Sequence, residues 1–246
     1  MSKMDGYREK LRTLPEWDTY LLKESGLPGP RGNIELAQVV AEVGDRSRFE
    51  RYLAYTADQA PVNSPYEFLA FCGVVGLGRL LAEGDASLLE ILRMHASDKR
   101  WRVREGVAMA LQRLGDVDMD QLLSAMQTWS QGVPLEQRAA AAALCEPRLL
   151  GQARHARGVL QLLDRITGIF QLTAVHPREE ILVLRQGLGY CWSVAVATLP
   201  GEGKLFMEKW LGTLNKDIQW IMQENLKKAR LARMDLEWVR KWQIKK

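Results

Sequence analysis

The sequence predicts an all-α fold, an α-α superhelix assembled from paired helices, and three observations carry that prediction. Residues 98–116 contain one strongly amphipathic helix, glycine-aspartate pairs close three apolar helical runs, and no segment alternates as a strand would. In the first of these, Val103, Val107, Ala110, Leu111 and Leu114 make one apolar stripe, with Arg102, Glu105, Gln112 and Arg113 on the opposite face. Such a helix must bury its stripe against a neighbour. Gly115 stands where a left-handed cap would end it, and Asp116 or Asp118 can cap the next helix, whose stripe is Met119, Leu122, Leu123, Met126 and Trp129.

The pairs Gly44-Asp45, Gly84-Asp85 and Gly115-Asp116 recur at spacings of 40 and 31 residues, the range of paired-helix repeats. A further partial copy is Asp217-Ile218-Gln219-Trp220, which matches Asp98-Lys99-Arg100-Trp101 at the Asp and the Trp. Glu224 and Leu226 then stand where Glu105 and Val107 do.

Taken in order, residues 4–25 read as one or two N-terminal helices that dock through Leu11, Leu14, Trp17, Leu21 and Leu22. Residues 26–33 hold two prolines and three glycines, which defeat regular structure, and Asn33 can cap a helix from Ile34. A loop from Asp58 to Pro65 precedes a helix from Tyr66 to Leu81. Pro134 suits the first turn of a helix through Ala143, stopped by Pro147. Long helices are expected at 153–172, 178–198, 205–211 and 218–234. The expected organisation is a single helical-repeat domain over 1–246. Capping helices and a loop fill 1–33, repeats fill 34–232, and a basic segment fills 233–246.

Gly73-Val74-Val75-Gly76-Leu77-Gly78 has the glycine content of a phosphate loop, but its flanks are helical on both sides and its spacing is not the dinucleotide one. Glycine costs about 1 kcal/mol relative to alanine inside a helix, so three of them indicate a face where backbones approach closely.

Segment 98–116 resembles the second helix of a HEAT repeat. In that family an Asp in the turn and an Arg early in the second helix form a polar ladder along the stack. The resemblance assigns those places to Asp98 and Arg104, makes Arg138 the next Arg, and leaves the ladder interrupted at Gln223. The match is specific over about one repeat and loose over most of 34–232.

The chain carries a formal net charge of +4, unevenly distributed. Residues 225–246 hold eight cations, Lys227, Lys228, Arg230, Arg233, Arg240, Lys241, Lys245 and Lys246, against Asp235 and Glu237, a balance of +6 that leaves −2 for the rest. Trp238 and Trp242 lie one helical turn apart in this end, so the segment suits either phosphate contacts with stacking or the polar cap of a repeat stack. Arg93, Lys99, Arg100, Arg102 and Arg104 form a second basic cluster. No uncharged apolar run approaches the roughly 20 residues of a membrane span, and the polar start leads into no apolar block, so no membrane role and a cytoplasmic location are expected.

Cys72, Cys145 and Cys191 are widely separated in apolar helical stretches, which reads as buried thiols. His95, His155 and His176 have neither the spacing of a zinc helix nor a cysteine pair beside them, so neither metal nor cofactor is assigned.

The chain is also similar in length and helical layout to the bacterial DNA alkylation-repair glycosylases, which are built from HEAT-like repeats. The N-terminal helices and the helix from Trp220 to Arg233 share in that likeness. In those enzymes a carboxylate and tryptophans form a cleft around the damaged nucleotide, and basic residues on the concave face grip the backbone. The corresponding Trp-Trp-Asp motif is not found here. Trp17-Asp18 is the only adjacent pair of that type, and Trp129, Trp192 and Trp210 have no carboxylate after them. That resemblance therefore implies a nucleic-acid surface without a catalytic residue. The sequence-level expectation is a non-catalytic scaffold binding a protein or a nucleic acid through Lys99, Arg100, Arg102, Lys227, Lys228 and Arg230. The alternative is a DNA-repair enzyme or DNA-binding protein related to the glycosylases. A third possibility is an adaptor that dimerises through its terminal tryptophans.

Overall fold

In the computed structural model, residues 2–172 and 178–243 are described; His176, Lys245 and Lys246 lie outside them. The described residues form fifteen α-helices and two short 3-10 turns, with no strand among them. The chain divides into two compact units, Met1–Val117 and Asp118–Lys246.

The first unit begins with α1 (Lys3–Thr13), started by a capping box in which Ser2 and Asp5 satisfy each other's backbone N–H groups. Then come α2 (Asp18–Glu24), α3 (Ile34–Val43), α4 (Arg46–Leu53), α5 (Pro65–Ala82), α6 (Leu88–His95) and α7 (Trp101–Val117). Asn33, Asp45 and Ser64 accept backbone N–H bonds at the starts of α3, α4 and α5. Helix α5 is the centre of the unit. It is buried along most of its length and packs on α2, α3, α4, α6 and α7.

The glycines of α5 explain how it fits there. A Cβ on Gly76 would lie 2.3 Å from the Phe49 ring of α4, and one on Gly78 would lie 2.4 Å from the Ala110 Cα of α7. The Gly73–Gly78 run therefore serves close helix packing. Phe49, Phe68, Leu69, Leu77 and Leu81 are fully or almost fully buried around it. Each such side chain contributes on the order of 1.5–3 kcal/mol.

The second unit opens with α8 (Met119–Trp129), capped by Asp118, and α9 (Pro134–Leu144), with Pro134 in its first turn. After a 3-10 turn at Pro147–Leu150 come α10 (Ala153–Gly168), α11 (Arg178–Thr198), α12 (Pro200–Leu211) and α13 (Lys216–Leu226). Two short helices close the unit, α14 (Ala229–Met234) and α15 (Leu236–Trp242). Helix α11 plays the part that α5 plays in the first unit, packing on α9, α10, α12, α13 and α14. Trp192 on α11 is fully buried, and its indole N–H donates to Thr167 Oγ1 at 3.0 Å. Helices α5 and α11 are long and apolar enough to cross a bilayer, although 72% and 50% of their most apolar stretches are buried within the protein.

Two expectations are corrected. Gly115 does not end its helix: α7 runs through to Val117, Gly115 is buried within it, and Asp118 supplies the next cap. The single helix expected over 218–234 is broken at Lys227 and Lys228. There the Lys228 N–H bonds back to the Asn225 carbonyl at 3.0 Å. Asn225 is itself fully buried and fixed to α11, accepting from Ser193 N at 2.7 Å and donating to the Leu188 carbonyl at 2.8 Å. The chain therefore turns where α13 is anchored.

Candidate anion-binding surface

The turn before α7 shows how this sequence spends its cations. The Asp98 carboxylate accepts from the Arg100 backbone N–H at 2.7 Å, from Nε at 2.9 Å and from Nη2 at 2.7 Å. Arg100 Nη1 then donates to the Tyr55 carbonyl at 2.8 Å. Burial would raise the Asp98 pKa, but hydrogen bonds from Arg100 and His95 outweigh it and hold the carboxyl well below the usual range. Arg104 donates to the carbonyl oxygens of Asp98 at 2.6 Å and Lys99 at 3.1 Å.

Arg102 turns inward as well. It donates to Glu67 Oε2 at 2.9 Å, to the Gly29 carbonyl at 2.7 Å and to Asn63 Oδ1 at 3.3 Å. Arg100 and Arg102 are 2% and 5% exposed. Neither can grip a phosphate without giving up its internal acceptors, because a buried carboxylate left unpaired is costly. Of the three cations expected to bind from this turn, Lys99 alone is exposed. Arg138 lies on α9 in the second unit, half-buried, with its side chain packed over Gly187.

The cations of the second unit behave differently along the chain. Arg148, Arg154, Arg157, Arg185, Lys204 and Lys209 pair with Glu146, Asp120, Glu202, Asp217, Asp235 and Asp164. Among the described residues, exposed Arg165, Arg178 and Lys216 have no carboxylate within ion-pair distance, and beyond α13 such cations become more frequent. Lys227 still pairs with Glu224, and Arg230 donates to the Tyr190 hydroxyl at 2.6 Å with its guanidinium 4.7 Å from the ring centroid. Among the described residues, however, no carboxylate lies within ion-pair distance of Lys228, Arg233, Arg240 or Lys241.

The fold brings the segments carrying Lys228 and Arg240–Lys241 together. Gln243 Nε2 donates to the Leu226 carbonyl at 3.4 Å, and Gln223 Nε2 donates to the Trp242 carbonyl at 3.1 Å. Those contacts bring the last turn of α15, with Arg240 and Lys241, onto the end of α13, where Lys227 and Lys228 follow. Trp238 is buried and its indole N–H donates to Glu208 Oε1 at 2.7 Å, so it locks α15 onto α12. Trp242 is half-buried, with the Lys241 ammonium 5.4 Å from its ring centroid. Sequence reasoning singled out Lys227, Lys228 and Arg230. Arg233, Arg240 and Lys241 count for as much; the pairs Arg157–Glu202 and Lys204–Asp235 span 45 and 31 residues, so no helical spacing in the sequence separates paired from unpaired cations.

The remaining chemistry-bearing groups are committed internally. Asp18, of the Trp17-Asp18 pair, accepts from Arg51 Nη1 and Nη2 at 2.6 and 2.9 Å and from the Tyr52 hydroxyl at 2.8 Å. The Arg48 guanidinium covers the Trp17 ring at 3.9 Å. Cys72, Cys145 and Cys191 are buried; burial pushes the Cys145 thiol up, with a hydrogen bond to Cys191 adding to the effect. Cys145 and Cys191 are thus neighbours in space. Among the described residues, no three His, Cys, Asp or Glu side chains gather as a metal site would require.

The described residues form an all-α protein whose last two helices carry cations without carboxylate partners among those residues. No protein-family model, curated protein or solved structure matches the chain.

Proposed function

We propose that the protein is a non-catalytic, HEAT-like helical scaffold that binds nucleic acid through the cationic face of its second unit. The observation carrying this reading is that, among the described residues, Lys228, Arg233, Arg240 and Lys241 have no carboxylate partner within one short stretch of chain, whereas most cations before them in the unit, Arg165, Arg178 and Lys216 apart, are paired. Cations without carboxylate partners raise the local potential, and a phosphate backbone relieves it by releasing its condensed counterions.

The finer reading of the fold, an α-α superhelix of HEAT-like repeats, is part of the proposal. It is supported by the same order of helix pairing within each unit. In the first, α3, α4 and α7 pack on α5; in the second, α9, α10 and α13 pack on α11. Trp101 and Trp220, matched in sequence, each have a guanidinium near the ring, that of Arg102 at 4.4 Å and that of Arg185 at 4.5 Å.

The test is equilibrium binding of a fluorescently labelled duplex of about 20 base pairs to the full chain. Replacing Lys228, Arg233, Arg240 and Lys241 together with Gln should weaken binding at least tenfold while leaving the melting temperature unchanged. Unchanged affinity would overturn the reading. Binding of an acidic polypeptide but not of nucleic acid would replace it with a protein partner.

A further inference from the structure

In the first unit, two exposed aromatic rings and two exposed cations lie within three residues of Arg102 or of the groups it bonds. Trp101 and Tyr66 are each 43% exposed, at the starts of α7 and α5. Each immediately precedes one member of the buried Arg102–Glu67 ion pair, so that pair fixes the backbone beneath both rings. The Arg102 guanidinium also lies 4.4 Å from the Trp101 centroid and is held there by Glu67, Gly29 and Asn63. Tyr66 leans on Tyr55, with centroids 5.7 Å apart, and the Tyr55 carbonyl is fixed by Arg100 at 2.8 Å.

Both rings are therefore positioned before any ligand arrives, which removes much of the ordering cost of binding. Lys99 is exposed one residue from Arg100, and Arg31 is exposed on the loop that Arg102 ties down through Gly29. Among the described residues no carboxylate lies within ion-pair distance of either cation. Asp98, beside Lys99 in the chain, and Glu67 are already paired with Arg100 and Arg102.

We propose that Trp101 and Tyr66 form a stacking platform for unpaired nucleobases, with Lys99 and Arg31 contacting the phosphates that flank them. The inference rests on the nucleic-acid reading above and adds to it a preference for single strands. A base in a duplex has both faces covered by its neighbours, whereas an unpaired base offers a face to an aromatic ring. An acidic peptide would satisfy the cations but would leave two rigid rings without a flat partner.

The test compares a labelled dT oligomer with a duplex of equal length, using full-length protein. Trp101→Ala and Tyr66→Ala should each weaken binding of the single strand by roughly five- to a hundredfold and leave duplex binding within about twofold. Equal effects on both forms, or no effect on either, would overturn the platform while leaving the nucleic-acid reading intact. Loss of all binding by both forms to the unmodified protein at low salt would instead defeat the nucleic-acid reading itself. Poly-glutamate binding that depends on Trp101 would overturn the platform in favour of a peptide site. Tyr66→Ala lies outside α7, so the comparison stays decisive should Trp101→Ala fail to fold.

Discussion

Arg104 Nη1 lies 2.6 Å from the carbonyl oxygen of Asp98, so the side chain of α7 closes the turn that precedes it through the main chain. The Asp98 carboxylate meanwhile receives the fork of Arg100. One turn thus uses two arginines, one for its backbone and one for its side chain. Replacing Arg104 with Leu should lower stability by about 1–3 kcal/mol, since it leaves carbonyls without a donor. Thermal melting of the variant measures this, and an unchanged melting temperature would mean that the turn is held without Arg104.

The Asp98 carboxyl also predicts a pH dependence. Its folded-state pKa is depressed, so its contribution is complete above the unfolded value of about 4 and is lost as pH falls through the folded value. Acid unfolding should therefore steepen below about pH 4. In Asp98→Asn the protein should be less stable at pH 7 but lose less on acidification, which denaturant titrations at several pH values would show. Parallel pH profiles for the two proteins would contradict the assignment.

Arg102 and Glu67 make a sharper case, because Glu67 is fully buried. Arg102→Met strands that carboxylate and should cost about 3–5 kcal/mol. Removing both charges, in Arg102→Met with Glu67→Leu, should recover a large part of the loss. A double variant no better than the single one would show that the pair's neighbours, Gly29 and Asn63, matter more than its charge.

Two glycines should respond to alanine in opposite directions. A Cβ at Gly78 would meet the backbone of α7 at 2.4 Å, so Gly78→Ala should destabilise by about 1–3 kcal/mol through overpacking. Gly6 in α1 has nothing within 4 Å, so Gly6→Ala should stabilise by roughly 0.5–1 kcal/mol through helix propensity alone. Melting curves of the pair separate close packing from propensity.

Much of this helical layout was legible in the sequence, because periodic apolar stripes and caps act locally. Asn33, Asp118 and Pro134 start helices as their chemistry requires, and the helix expected over 178–198 is α11. The end of α7 and the break at Lys227 were not legible. One depends on which of two aspartates captures the next N–H, and the other on Asn225 being fixed to α11 by bonds across 32 and 37 residues. The cationic surface was half legible for a similar reason. Composition showed the charge excess, but whether a cation faces solvent depends on partners distant in sequence. Arg102 reaches Gly29 across 73 residues, and nothing in segment 98–116 announces that contact.

The central claim is that the cationic face of the second unit holds a phosphate backbone, and the salt dependence of duplex binding tests it most directly. With about four to five phosphates neutralised, log Kobs should fall against log salt concentration with a slope of about −4. The variant in which Lys228, Arg233, Arg240 and Lys241 are all Gln should lose about three to four units of that slope. A slope near zero in the unmodified protein, or an equal slope in the variant, would contradict the account.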